Sequence, residues 1–467
     1  MTDENPDATD VPNYVSPDDP GHPAFVAAVR DVRRRSLPPP PERAASAPVA
    51  AASRAPSVPV AAAVIIGGPA ASADAHPIRT GAVRDDAAKE VFVYGKAQVM
   101  AVFANPDGNY TVTGYGERSH KGFGEFFLGL DAGDEYERQS RDINAAIQSI
   151  TAEEGFTLGL DGARAAYRTL NGAAAKGGTS LFGRIAGMFR SAPKPKPQAA
   201  EDVSTQMLAA VSKTLFGIPD EDLIVTGPIR FSPGAPGHCP GDFAVVSASL
   251  FKPEPKPEVA GFGAYLGGLL ARQTATVVAR LRAAGTPPPG RLTKVLFDTI
   301  PPEEDDRLVR TLIGAMMGLL PTVDGNLIKV MNGLQENGQI PGLKRRIAAL
   351  GAEPGYEQVK GVLKSAVYRA MQQDPVPEEV WRIAAHEHVI SGDMPVRVKK
   401  GDKVVVSIES ATRADLEKGE EGIEDVSPIF GGLKTGKGRR PVHGCPGHAM
   451  ALGVIYGTVA VILQQPD

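Results

Sequence analysis

Apolar positions recur at intervals of three and four over residues 259–284, 303–334, 341–351, 356–372 and 446–464, a spacing that predicts helices. RDINAAIQSITAEEGF (141–156) and DGARAAYRTLNGAAAKGG (161–178) carry the same period, and the second stops at glycine. GKAQVMAVF (95–103) predicts one more helix. Alternation with a period of two is rarer. It predicts short strands in EVFVY, around Asp107-Gly108 and in VRVKKGDKVVVSIES, while GDFAVVSASLF (241–251) reads as extended. The balance is that of a mainly α fold with a small β region, one large domain over residues 81–467 without internal repeats.

The run AMALGVIYGTVAVIL (449–463) is apolar on all sides, which places it inside a core. It and VAAAVIIGG (60–68) are shorter than the ~20 residues that cross a bilayer, so no membrane anchor is expected. Residues 36–80 are dominated by Pro, Ala and Ser and bury too little apolar surface to offset their ordering entropy. Residues 1–80 are therefore expected to be a disordered leader, with FVAAVRDVRRR as a short basic helix whose charges are solvated or dock a partner. KPKPQ (194–198) and KPEPKPE (252–258) read as extended surface loops.

Composition narrows the function. Apolar residues make up 42% of the chain, enough for a sizeable core, and the net charge is −4 with no long basic run. Nucleic acid is not expected as the main partner. Two cysteines far apart make no disulfide framework, and no signal-peptide pattern opens the chain, so a cytoplasmic location is expected.

Those two cysteines stand in similar settings, PGHCPGDFAV (236–245) and PVHGCPGHAMALG (441–453). Pro446 suits a first helical position, and the apolar helix after it places Cys445 beside free backbone N–H groups and a positive dipole end. Such a place favours a thiolate. Gly447 leaves room for a flat ligand against the backbone, and His443 stands ready to donate to an anionic group. A haem-ligating thiolate and a buried small hydrophobe are both open for Cys445 on this pattern alone. Cys239 precedes an extended segment and is read as structural. Zinc held by His238, Cys239, His443, Cys445 and His448, or at AHEHV (385–389), lacks the spacing of a compact Cys/His module. His386 and His388 alternate as on an exposed strand face.

From PVPEEVWR (375–382) onward the order of segments resembles the C-terminal third of the cytochrome P450 family. There a proline-rich turn leads to an arginine, a strand pair, a stretch like ATRAD, an irregular glycine-rich run, and a cysteine ahead of a long helix. FFLGLDAG (126–133), LFGIPDEDL (215–223) and the helix at 303–334 fall in the matching order, so the resemblance covers roughly residues 90–467. It implies a haem b with Cys445 as the iron's thiolate ligand, and His443 and Arg382 on its propionates, with Arg439 within reach of one. It implies a haem-thiolate oxidoreductase acting on an apolar, fatty-acid-like substrate.

The chain also departs from the family. If Gly318 in GAMMGLLPTVDGN (314–326) takes the family's glycine, Leu320 and Pro321 replace the acid and threonine that relay protons to bound dioxygen. Pro321 is expected to kink the helix and open a groove lined by the freed carbonyl, Thr322 and Asn326, the catalytic candidates. The Glu-x-x-Arg brace falls on Arg369 and Gln372, and the expected His and Arg of the haem-side helix fall on Glu135 and Gln139. Losing the acid–alcohol pair suits a branch that takes peroxide or rearranges a hydroperoxide, and GAMMGLLPTVDGN and FGIPDEDL resemble the branch near fungal fatty-acid diol synthases. A monooxygenase would need a ferredoxin-type donor at the Lys434, Lys437, Arg439 and Arg440 face. The alternative is a catalytically silent haem protein or gas sensor.

Overall fold

A computed structural model of the protein describes residues 81–176, 200–217, 240–255, 257–285, 288–392, 395–417, 419–432 and 441–465. The expected leader, Cys239, His238 and Arg439 lie outside the described residues. Described structure opens on a hairpin of β1 (Ala82–Asp85) and β2 (Glu90–Val93) that buries Val91 and Val93. Then come α1 (Lys96–Ala104), β3 (Tyr110–Thr111), α2 (Thr113–His120) and a 3-10 turn at Phe127–Gly129. The helical body follows: α3 (Asp134–Gln148), α4 (Ala152–Lys176), α5 (Ala200–Phe216), α6 (Pro240–Phe251), α7 (Pro257–Ala284) and α8 (Arg291–Thr299). It continues through α9 (Asp305–Glu336), α10 (Ile340–Ala348) and α11 (Tyr356–Gln373). After it stand β4 (Glu379–Ala384), β5 (His388–Ile390), β6 (Val396–Val398), β7 (Lys403–Ser407), α12 (Ile408–Leu416), α13 (Glu420–Ile423), a 3-10 turn at Ser427–Phe430 and α14 (His448–Gln464).

The mainly helical fold with a small sheet follows the periodicities. Five strands form one sheet in the order β1-β2-β7-β4-β3, with β2 parallel to β7, so the two ends of the described chain share it. β5 and β6 form a separate antiparallel ribbon. One contiguous core joins buried residues from Ala82 to Leu463. α9 runs through it, packed on α5, α6, α7, α11 and α14. By length and composition the stretch Pro302–Glu336 could cross a membrane, yet 61% of its apolar window is buried inside the fold, as in a core helix.

Four expectations are corrected. Residues 241–251 belong to helix α6, not to an extended segment. Val245, Val246, Ser249 and Leu250 are buried there at i, i+1, i+4 and i+5, one helical face, and packing against α7 and α9 outweighs the β-propensity of the valines. β4 is a strand that the periodicity missed, because it mixes Glu379 and Arg382 into a buried centre, whereas β5 starts at His388, within the strand expected from His386 and His388. His388 does not sit on an exposed face: it is half-buried, with its ring edge-on to Tyr110 and Nε2 2.8 Å from the Tyr110 hydroxyl. SIES and ATRAD form α12, capped by Ser407, whose Oγ accepts from the Ser410 N–H at 3.2 Å.

α4 and α14 touch backbone to backbone. A Cβ placed on Gly155 would stand 2.3 Å from the Met450 carbonyl oxygen, and one on Gly159 would stand 2.2 Å from that of Val454. From the other side, Cβ atoms on Gly453 and Gly457 would stand 2.1 and 2.2 Å from the carbonyl oxygens of Ala152 and Phe156. Glycine is required at each because no side chain fits between the helices. Gly159→Ala should therefore cost about 1–3 kcal/mol through forced separation of the helices. Gly361→Ala, whose Cβ meets nothing within 4 Å, should stabilise α11 by about 0.5–1 kcal/mol. Thermal midpoints of the two variants, moving in opposite directions from the wild type, check this.

Candidate functional site at Cys445

The cysteine segment is held from three sides. Gly431 and Gly432 both adopt left-handed backbone (φ 63° and 87°), and a Cβ on Gly432 would fall 2.4 Å from Pro441 Cγ. That close approach lets the Phe430 carbonyl accept the Cys445 N–H at 2.9 Å. From α3, the Tyr136 hydroxyl donates to the Val442 carbonyl at 2.7 Å, and its ring meets the His443 ring edge-on at 5.1 Å. Behind the cysteine, Gly447 caps α14, which starts at His448, two residues later than expected; the Ala451 N–H reaches the Gly447 carbonyl at 2.8 Å. Cys445 itself is half-buried. Its sulfur thus sits on a rigid turn ahead of a buried helix start, without being sealed into the core.

Gly447 serves packing in this arrangement. Its Cβ direction meets Ile147 Cγ2 of α3 at 3.2 Å and Met450 Cε at 3.5 Å, so glycine lets α3 approach the cysteine turn. Arg138, next to the positions where the resemblance puts His and Arg, pairs with Glu135 and Glu304, each at 2.8 Å. Gln139 is buried and donates to Glu135 at 2.5 Å.

Arg382 sits half-buried on β4. Its Nη1 donates to the Trp381 carbonyl at 2.7 Å and to the Tyr115 hydroxyl at 2.9 Å. The Tyr115 hydroxyl also donates to the Trp381 carbonyl at 2.7 Å, so this buried tyrosine fixes the arginine's direction. Nε and Nη2 make no hydrogen bond among the described residues, and no carboxylate pairs with the guanidinium there. A half-buried cation with two spare donors suits an anionic group, as a haem propionate is.

Thr322 and Asn326 are brought together on α9, with their polar atoms turned to the backbone. α9 continues through Pro321 without ending. The Thr322 hydroxyl donates to the Gly318 carbonyl and lies 3.1 Å from that of Leu319. The buried Asn326 amide donates to the Thr322 carbonyl at 2.8 Å and to the Val376 carbonyl at 3.1 Å, tying α9 to the turn ahead of Arg382. With both N–H groups engaged, only Oδ1 is left over, a buried acceptor without a partner among the described residues. Gly318 is exposed on this otherwise buried stretch, and nothing lies within 4 Å of its Cβ direction, whereas Gly314 one turn earlier faces Phe126 and Phe127. α9 therefore presents an opening at the position where the resemblance puts the family's glycine.

Where the resemblance puts a Glu-x-x-Arg brace, the structure has a neutral tie at Gln372. Fully buried Gln372 donates from Nε2 to the Gly422 and Asp425 carbonyls, both at 2.9 Å, and its backbone carbonyl accepts from the Thr412 hydroxyl at 2.9 Å. Lys96 adds charge, reaching Asp415 at 2.5 Å and Asp425 at 2.6 Å. Tyr115, Tyr136 and Lys96 do not stand out in the sequence. The aromatic positions beside FFLGLDAG and PVPEEVWR were the available signal.

No family model and no curated protein matches this chain significantly. Among the described residues no three His, Cys, Asp or Glu side chains gather as a metal site would. Of the groups that would hold a haem, the described residues supply the half-buried Cys445 and an Arg382 guanidinium without a carboxylate partner among them.

Burial opposes ionisation of Asp425, but the Lys96 ammonium and hydrogen bonds from Ser427 outweigh it and hold the carboxyl below its ordinary value. Burial likewise opposes the Lys96 charge, and the two aspartates outweigh it. The Asp425 contribution to stability is therefore complete above 3.8 and lost as pH falls through the depressed value. Lys96→Met should destabilise the protein by about 3 kcal/mol at neutral pH, since buried Asp415 loses that cation. The gap to wild type should close on acidification, as read from denaturation midpoints across pH.

Proposed function

We propose that the chain binds a haem through the Cys445 thiolate and acts as a cytochrome P450-type oxidoreductase on an apolar substrate. The observation that carries this reading is the half-buried Cys445 on a pinned turn immediately ahead of the buried start of α14. The order of elements supports it: Arg382 on β4, the β5–β6 pair, β7, α12, the glycine-rich stretch, then Cys445 and α14. A haem with a thiolate ligand supplies O–O bond cleavage and oxidation of unactivated C–H bonds.

The chain's own residues do the rest. Cys445 would hold the group from the α14 side, with free N–H groups at that helix start favouring the unprotonated sulfur. Arg382, aimed by Tyr115, would take a propionate, and His443, braced by Tyr136, would contact the same edge. Gly318 leaves the space above. Thr322 and Asn326 spend their donors on backbone carbonyls, which leaves α9 poorly equipped to hand protons to dioxygen. That favours a peroxide or a fatty-acid hydroperoxide as oxidant over dioxygen with a ferredoxin-type donor.

The purified protein should be coloured, and its reduced carbon monoxide adduct should show the red-displaced main band of thiolate ligation. Cys445→Ser should lose that band while Cys239→Ser keeps it. Arg382→Ala should release haem to a competing apoprotein about ten to one hundred times faster, as expected for a charge-assisted bond of about 1.5–3 kcal/mol. Oxidation supported by peroxide without reductase is the expected activity. A protein that stays colourless after reconstitution, or a Cys445→Ser variant with an unchanged spectrum, refutes the assignment. A coloured protein inert toward every oxidant would mark the silent binder.

A further inference from the structure

The two helices that meet through glycine also build a charged surface at their far ends. Gly155 of α4 lies against Met450 of α14 and Gly159 against Val454, so the helices advance in the same direction. Arg168, nine residues beyond Gly159, therefore comes level with Leu463, nine beyond Val454, at the end of α14. Two hydrogen bonds bear out that register. Arg164 donates from Nη2 to the Ala352 carbonyl at 3.0 Å, and Gln464 donates from Nε2 to the neighbouring Gly351 carbonyl at 3.3 Å. From the last turns of α10, Lys344 donates to the Gln465 carbonyl at 3.1 Å. Arg345 and Arg346 follow it, both exposed because Leu343 and Ile347 take the buried side.

Five cations thus gather around one helix end, which accounts for only part of them. The negative dipole end of α14 favours a cation, and Lys344 takes that place. Arg164 has the Ala352 carbonyl and, at 3.7 Å, Glu353. The guanidinium groups of Arg168, Arg345 and Arg346 have neither a carboxylate nor a hydrogen-bond partner among the described residues. The acids closest along the chain are Asp161, Glu353 and Asp467. Large exposed apolar side chains play no part, since among the described residues the one such side chain is Val389 on β5. A partner for this face is therefore selected by negative charge.

We propose that this face holds the acidic opening of the same chain, residues 3–19. Asp3, Glu4, Asp7, Asp10, Asp18 and Asp19 fall there, and no Lys or Arg occurs before Arg30. Sixty-two residues separate Asp19 from Ala82, the first residue of β1, enough chain to reach any face of the fold. Exposed ion pairs are individually weak, so attachment matters: it replaces an encounter of two molecules by one within a molecule. An acidic segment of another protein lacks that advantage. The docking does not rest on the haem reading, since none of its cations belongs to the cysteine segment, β4 or α9.

Carbodiimide coupling joins a lysine to a carboxylate only where the two touch, and residues 1–80 contain no lysine of their own. In the full chain, Lys344 should couple to carboxylates of residues 3–19 about tenfold more than exposed Lys121 or Lys400 does, as read by peptide mass spectrometry. A mixture of unlabelled and nitrogen-15-labelled protein should give couplings within one isotope only. Arg345→Glu combined with Arg346→Glu should lower the Lys344 yield about tenfold, and so should about 1 M salt, where the screening length is about 3 Å. Arg168→Glu on α4 should lower it as well, which tests the face independently of α10. Equal coupling at Lys121 and Lys400, coupling between isotopes, coupling of Lys344 to Asp161, Glu353 or Asp467 alone, or yields unchanged by the charge reversals and by salt would each overturn the proposal.

Discussion

Everything about the candidate site depends on the direct backbone contact between α4 and α14. Helix packing normally interposes side chains and holds axes about 8–10 Å apart. Here four glycines remove them, and carbonyl oxygens of each helix lie where the other would carry a methyl. The gain is dispersion between well-packed main chains; the constraint is that neither helix can slide without steric clash. α14 begins three residues after Cys445, so the crossing also fixes where the sulfur stands. Tyr136 and Ile147 of α3 then fix the turn itself.

On the other side the chain solves an electrostatic problem without the expected ions. A buried Glu–Arg brace would need two desolvated charges in good geometry. Gln372 joins α11 to the segment after α12 with two neutral hydrogen bonds at no Born cost, and the charged tie is moved to Lys96 on α1, where a fifth of the side chain still meets water. The brace therefore spans three elements instead of two. Its strength varies with pH through Asp425, whose carboxyl is held below its ordinary value by Lys96.

The helices were legible because burial imposes a period on them. α7, α9, α11 and α14 carry their apolar faces openly, and their ends fall within two residues of the boundaries expected. The failures share one cause, that burial was decided by partners distant in sequence. α6 reads as a strand until α7 and α9 are placed on either side of it, and β4 reads as a loop until β7 and β3 flank it. Cys445, His443 and Arg382 announced themselves by residue type near proline and glycine. Tyr115 did not, since an aromatic in a helix has many ordinary uses and only the distant carbonyl it meets gives it this one.

Proline inside a core helix explains why the polar residues of α9 behave as they do. Pro321 cannot supply the N–H that the Met317 carbonyl would accept, and its ring crowds that carbonyl, a cost of about 3 kcal/mol in a regular helix. The groups that follow are spent on restoring order: Thr322 ties back to Gly318, and Asn326 ties back to Thr322 and across to Val376. Side chains so engaged are poor proton donors, because releasing one would leave a buried carbonyl unpaired. On the proposed function the helix therefore contributes space at Gly318 and a firm wall rather than acid chemistry. An oxidant that arrives with its O–O bond already reduced asks no more of it than that.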